Sequence, residues 1–191
     1  YTIDNVLVEA LEAGSIPIPF TDDFESCTTV GDFNIPTNWT EAIVPGSKTD
    51  RGWGCRAFGR NGSNAPRASA FGGEDGTDDA WLISDGKFDL SAVSSATLVF
   101  WLESRFSGPG DLEVKWSTDY TGSGDPTAAT WTTLSDVAAQ YPADGSEVFT
   151  EITGDLSGAA GQKVFLAFRY FGGTSGASIA LTIDDVSITG N

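Results

Sequence analysis

The feature that most constrains this chain is a period of two in its apolar residues, carried in short runs that turn-forming residues interrupt. Between Asp111 and Trp116, Leu112, Val114 and Trp116 fall on one side of an extended chain and Glu113 and Lys115 on the other. From Lys163 to Phe171, Val164, Leu166, Phe168 and Tyr170 share one face, and Phe165, Ala167 and Arg169 share the other. Ser178 to Ile188 alternates in the same way. Ala96 to Leu102 is a continuous apolar run, which predicts a central strand buried on both faces. Shorter strands are predicted at Phe20–Phe24, Trp39–Ile43, Trp53–Phe58, Arg67–Phe71, Ala80–Ile83, Trp131–Leu134 and Val148–Ile152, about eleven in all, with one helical turn near Leu134–Gln140. The 23 Gly and 8 Pro supply tight turns between them. No helical periodicity separates the strands, so an α/β arrangement is excluded. The 191 residues suffice for one domain with a sizeable core. The expected fold is all-β, a two-sheet antiparallel jelly-roll sandwich.

One internal repeat stands apart from this pattern. Thr2-Ile3-Asp4-Asn5-Val6 matches Thr182-Ile183-Asp184-Asp185-Val186. In both copies the apolar alternation slips phase, from Ile3 to Val6 and from Ile183 to Val186, as a β-bulge requires. The first copy admits three readings: the last strand of a preceding domain, an extra edge strand of its own sandwich, or a strand donated to a neighbouring molecule through Tyr1–Val8. The stretch EALEAGSIPIP that follows reads as a linker. Residues 1–15 are therefore taken as an N-terminal strand plus linker and residues 16–191 as the sandwich.

Charge and residue types narrow the function. A net charge of −17 and a pI near 4.1 oppose nucleic acid and anionic membrane surfaces. No apolar run is long enough to span a bilayer as a helix. The chain starts at Tyr1 without a signal-like stretch and reads as a processed, secreted or cell-surface protein. Cys27 and Cys55 read as one disulfide in that setting. With no His, imidazole metal sites and triads are unavailable. The Gly-rich segment Phe71–Gly76 has no following Lys and no helix, so it is not a phosphate loop. The doublets Asp22/Asp23, Asp78/Asp79 and Asp184/Asp185 are not facing pairs, because adjacent strand residues point to opposite faces. Capped turns or calcium ligation account for them, and no enzymatic activity is expected.

Several segments together carry a family resemblance: Phe20-Thr21-Asp22-Asp23-Phe24-Glu25, Pro36-Thr37-Asn38-Trp39, Asp79-Ala80-Trp81-Leu82-Ile83-Ser84, Phe88-Asp89-Leu90-Ser91 and the closing Thr182–Val186. Over Ile16 to Thr189 the chain resembles the cleaved-adhesin or choice-of-anchor J domains of bacterial surface and secreted proteins, which have a galactose-binding-like jelly-roll fold. Asp85-Gly86 stands where that pattern leads one to expect Pro. The resemblance implies a structural Ca²⁺ near the junction of first and last strands, and carries the ligand roles onto Asp23, Glu25, Asp78, Asp79, Asp184 and Asp185.

Trp39, Trp81, Trp101 and Trp116 sit in strands and read as core. Trp53, Tyr120, Trp131 and Tyr141 lie near predicted strand ends and, with Arg56, Arg60 and Arg105, are candidates for stacking on sugar rings. The leading expectation is a non-catalytic extracellular binding or adhesion module for carbohydrate or a surface protein, stabilised by calcium. The alternative is a self-assembling subunit of an adhesive filament or surface layer, joined by strand donation from Tyr1–Val8.

Overall fold

The structure, a computed structural model, describes residues 14–31 and 33–191. Thirteen strands lie among them: β1 (Ser15–Ile16), β2 (Phe20–Asp22), β3 (Trp39–Ile43), β4 (Trp53–Arg56), β5 (Ala65–Ser69), β6 (Thr77–Ser84), β7 (Lys87–Asp89), β8 (Ala96–Arg105), β9 (Asp111–Ser117), β10 (Thr132–Thr133), β11 (Thr150–Asp155), β12 (Lys163–Thr174) and β13 (Ala180–Gly190). The described helical segments are short 3-10 turns, one of them at Ala138–Gln140, where a helical turn is predicted. Each predicted strand is present, with shifted ends. The first stops at Asp22 because the Asp22 and Asp23 carboxylates accept from the amides of Phe24 and Glu25, closing turns in which Phe24 takes a positive φ.

Two sheets form a sandwich. In the seven-stranded sheet β12 is the spine, antiparallel to β7 and β6 along one edge and to β9 along the other, with β3 beyond β6 and β10 beyond β9. β1 pairs with β7 in parallel, a departure from the antiparallel pattern. The six-stranded sheet runs β11-β8-β13-β5-β4, and β2 pairs with the far part of β13. Leu82, Phe100, Leu102, Leu166, Phe168 and Ile183 meet between the sheets, all fully buried or nearly so. Each such side chain contributes roughly 1.5–3 kcal/mol by leaving water.

A second, smaller core explains why both faces of β12 are apolar. Phe165 and Ala167 pack outward with Trp81, Ile83 and Tyr120, under a loop of residues 118–131 that carries Trp131. Asp119 pins that loop by accepting from the Ser117 hydroxyl and the Thr130 amide. The expectation for Ala96–Leu102 is corrected, because β8 is buried on one face only. Thr97, Val99 and Trp101 remain partly exposed on the other, which no loop of the described residues roofs over at that end of the strand.

The phase slip at Asp184-Asp185 is a bulge. Pairing of β13 with β8 shifts register between Asp184 and Ser187, and Asp185 has φ 47°. The matching copy at Thr2–Val6, and with it Tyr1–Val8, lies outside the described residues. Cys27 and Cys55 form a disulfide with Cα atoms 5.4 Å apart, tying the segment after β2 to β4.

Candidate functional site: an arginine and phenylalanine groove

Strand register builds this site. Gly54 of β4, Arg67 of β5, Thr182 of β13 and Glu103 of β8 stand side by side across the six-stranded sheet. Two residues along, Ser69, Ala180 and Arg105 form the next row on the same face. Residues separated by two point the same way, so Arg56, Arg67 and Arg105 all rise from the outer surface. Phe58, Phe71 and Phe106, placed just beyond strand ends, surround them and are 42%, 63% and 58% exposed. A groove of about 240 Å³ results, lined by Arg51, Arg56, Arg67, Ser69, Phe71 and Phe106.

The guanidinium groups there differ in their engagement. Arg51 donates to the carbonyls of Phe71 and Asp50. Arg105 bridges Glu103 at 3.2 Å and Glu147 at 3.4 Å. Glu103 also accepts from the Thr182 hydroxyl. Arg67 is 9% exposed and lies over the rings of Phe58 and Phe106, at 4.6 and 5.8 Å from their centroids. Among the described residues no carboxylate comes within ion-pair distance of it. Burial lowers its pKa; nearby Glu103 opposes the shift and the like charges of Arg105 and Arg56 add to it.

The six carboxylates expected to share one ion are dispersed. Asp23, Glu25 and Asp185 line a recess of about 480 Å³ with Arg60 and Ser63, and Arg60 Nη1 stands 2.8 Å from Asp185 Oδ2. Asp184 is buried, and accepts from the Arg60 amide, the Ser63 hydroxyl and the Asp185 amide. Burial pushes its pKa up to about 6. Asp79 is held on the opposite sheet by a two-pronged ion pair with Arg169, which also binds Glu113. Asp78 points the other way from Asp79 along β6; it is buried with both oxygens unpartnered among the described residues, and burial pushes its pKa up to about 6. Among the described residues, no three of these acids converge as metal ligands. The physical reason is the one that separates any doublet on a strand: neighbours face opposite sides.

The predicted stacking residues are largely corrected. Trp53 is fully buried and donates its indole N–H to the Ala80 carbonyl, joining the two sheets. Tyr120 is buried in the small core. Trp131 is half-buried against Trp81 and Tyr120 and donates to the Pro126 carbonyl, so it holds a loop. Tyr141 packs on the main core, and burial pushes its hydroxyl pKa up. Arg56 lines the groove, and Arg105 stands beside it over the Phe58 ring, outside the lining. Arg60 lies over Trp101, outside the groove lining. Strand-by-strand reading misses the lining residues Arg51, Arg67, Phe71 and Phe106, and Phe58, which packs under Arg67 beside them. The available signal was aromatic residues next to strand-ending turns, as in Phe71-Gly72-Gly73 and Phe106-Ser107-Gly108-Pro109.

The β-sandwich has the fold of cleaved adhesin domains. The K1 cleaved adhesin domain of Lys-gingipain from Porphyromonas gingivalis W83 is similar with a TM-score of 0.59 and 22% identity, over 90% of this chain and 98% of that one. The K2 domain of Lys-gingipain is similar with a TM-score of 0.58 and 24% identity, over 89% and 98%. The CBM22-1–GH10 modules of Clostridium thermocellum xylanase 10B, solved with xylohexaose, are similar with a TM-score of 0.51 and 14% identity, over 91% of this chain and 28% of that one. These likenesses are of fold. No protein-family model matches the sequence, and no curated protein does.

Proposed function

We propose that the chain is a non-catalytic extracellular binding module that recognises carbohydrate or another surface ligand through the Arg67 groove. The observation that carries this reading is the set of three exposed Phe rings around guanidinium groups on a hydrogen-bonded sheet. Aromatic rings offer flat apolar surface at low entropic cost, and Arg supplies directed donors. Guanidinium groups remain charged near neutral pH, which suits recognition and not proton transfer. What supports a sugar ligand among the comparisons is a likeness of fold to part of a chain whose CBM22-1–GH10 modules were solved with xylohexaose.

Calcium enters this proposal at the recess lined by Asp23, Glu25 and Asp185, hard oxygen donors that ring it without converging on one point, so a bound ion would have to draw them inward. Arg60 is the counter-ion of Asp185 there, so a bound calcium competes with it. Self-association through Tyr1–Val8 is the second reading; it rests on the Thr2–Val6 repeat and is tested by light scattering with and without residues 1–12.

A glycan array probed with the chain in calcium tests the main reading. Binding that weakens at least tenfold in Phe106→Ala supports it. No bound glycan, with the protein shown to be folded, overturns it.

A further inference from the structure

The groove carries more than a general preference for sugars. Arg67 is nine-tenths buried, lies over the rings of Phe58 and Phe106, and has no carboxylate within ion-pair distance among the described residues, Glu103 acting on it only from farther off. Burying a charge is costly unless an opposite charge or a strong acceptor answers it. Arg51 is engaged by two carbonyls and the Asp50 carboxylate, and Arg105 by Glu103 and Glu147 through Nη2 while its Nε is buried without a partner among the described residues, so their positive charge is partly answered from within. Arg67 lines the groove together with Arg51, Arg56, Phe71 and Phe106. Arg51, Arg56, Arg67 and Arg105 are four of the ten cationic residues of a chain whose net charge is −17.

We infer that the ligand is an acidic oligosaccharide, with a carboxylate or sulfate group seated on Arg67 and its sugar rings against Phe71 and Phe106. This rests on the carbohydrate-binding reading above and deepens it.

Three arguments favour that occupant. A guanidinium pairs with a planar carboxylate or a sulfate through two parallel hydrogen bonds, which answers the charge of Arg67 directly. The volume of about 240 Å³ is below the usual range for enclosed small-molecule pockets, and fits one unit of a chain lying across the sheet. An acidic peptide is disfavoured because β5 is hydrogen-bonded on both sides, to β4 and β13. The groove lies on a sheet face, where no free strand edge offers main-chain pairing. The acidic remainder of the surface does not forbid an anion. Charges beyond about 8 Å are largely screened at physiological ionic strength, whereas a partly buried guanidinium is screened much less.

The experiment is calorimetric titration of the full chain with hexagalacturonate, a sulfated dextran oligomer, cellohexaose and hexaglutamate at 0.15 M salt. Expected is binding of hexagalacturonate or the sulfated oligomer at least tenfold tighter than cellohexaose and hexaglutamate; the two acidic sugars distinguish carboxylate from sulfate. Arg67→Gln should lower that affinity at least tenfold, and Lys163→Gln, on the other sheet, should leave it unchanged. If Arg67→Gln does not fold, Phe106→Ala and Phe71→Ala serve instead, each expected to lower affinity at least fivefold. Equal or tighter binding of cellohexaose overturns the acidic ligand and leaves the carbohydrate reading standing. Equal binding of hexaglutamate overturns it too, because the groove then reads charge alone. No binding of either acidic sugar overturns the inference, and the glycan array decides the broader reading separately.

Discussion

The guanidinium of Arg60 lies 3.8 Å from the centroid of the Trp101 ring, and its Nη1 reaches Asp185 at 2.8 Å. One cation is thus shared between an aromatic face and the carboxylate at the bulge of β13. Both partners of the ion pair are about one-third exposed, so the pair and the ring contact together are worth roughly 1 kcal/mol. Arg60 also occupies the charge position that a calcium at Asp23, Glu25 and Asp185 would take.

Calcium is therefore expected to raise the melting temperature, and chelation to lower it again. Arg60→Ala should enlarge the calcium-dependent rise by removing the competing cation, and Asp185→Asn should reduce it. Differential scanning calorimetry with calcium and with EDTA reads both effects. A melt indifferent to calcium in all three proteins removes the ion from the account.

Reduction of the Cys27–Cys55 bridge should destabilise the fold by about 3–4 kcal/mol, the cost of freeing a loop of this length in the unfolded chain. The sequence separation is 28. A Cys27→Ser, Cys55→Ser double variant compared with the parent by urea unfolding measures it. A difference below roughly 1 kcal/mol would show that the loop is already restricted without the bridge.

Stability should rise on mild acidification. Asp78 and Asp184 both have folded pKa values pushed up to about 6 by burial, from the ordinary aspartate value of 3.8. Between those values the folded state binds more protons than the unfolded one, so stability increases as pH falls from about 6 toward 4 and is lowest, for these two groups, above 6. Each contributes on the order of 2–3 kcal/mol over that window. Asp78→Asn should raise the melting temperature at pH 7 and flatten its rise toward pH 5. A melt that falls steadily from pH 7 to pH 5 contradicts this.

Trp53 and Phe106 should separate stability from binding. Trp53→Ala removes a fully buried ring and its hydrogen bond to Ala80, an expected loss of roughly 3–5 kcal/mol. Phe106 is 58% exposed, so Phe106→Ala should cost under about 1 kcal/mol while weakening ligand binding. Urea midpoints for the two variants check the division; similar losses in both would mean that Phe106 is part of the core.

The period-two runs read directly into strands, because a strand's own alternation records which of its side chains leave water. Val164, Leu166, Phe168 and Tyr170 face the core as their spacing requires, and the slip at Asp184-Asp185 marks the bulge. The site was far less legible. Trp53, Tyr120 and Trp131 look available from their positions near strand ends, yet the second sheet covers Trp53, and Tyr120 and Trp131 turn inward from the loop of residues 118–131 onto Phe165 and Trp81. The acidic doublets look like one ligand set, yet Asp78 and Asp79 diverge across β6 while Asp184 is taken up by the loop at Arg60 to Ser63.

By itself, then, the sequence determined the all-β class, the strand segments other than β1 and β7, the bulge in β13 and the pairing of Cys27 with Cys55. Each of these follows from local alternation or from having a single partner to choose. Only the tertiary structure decided that Arg67 stands in line with Gly54, Thr182 and Glu103, with Phe58, Phe71 and Phe106 gathered around it. Alternation says which way a residue faces within its own strand. Which strands become neighbours, and in what register, depends on long-range pairing that buries the whole core at once, and no local spacing encodes it.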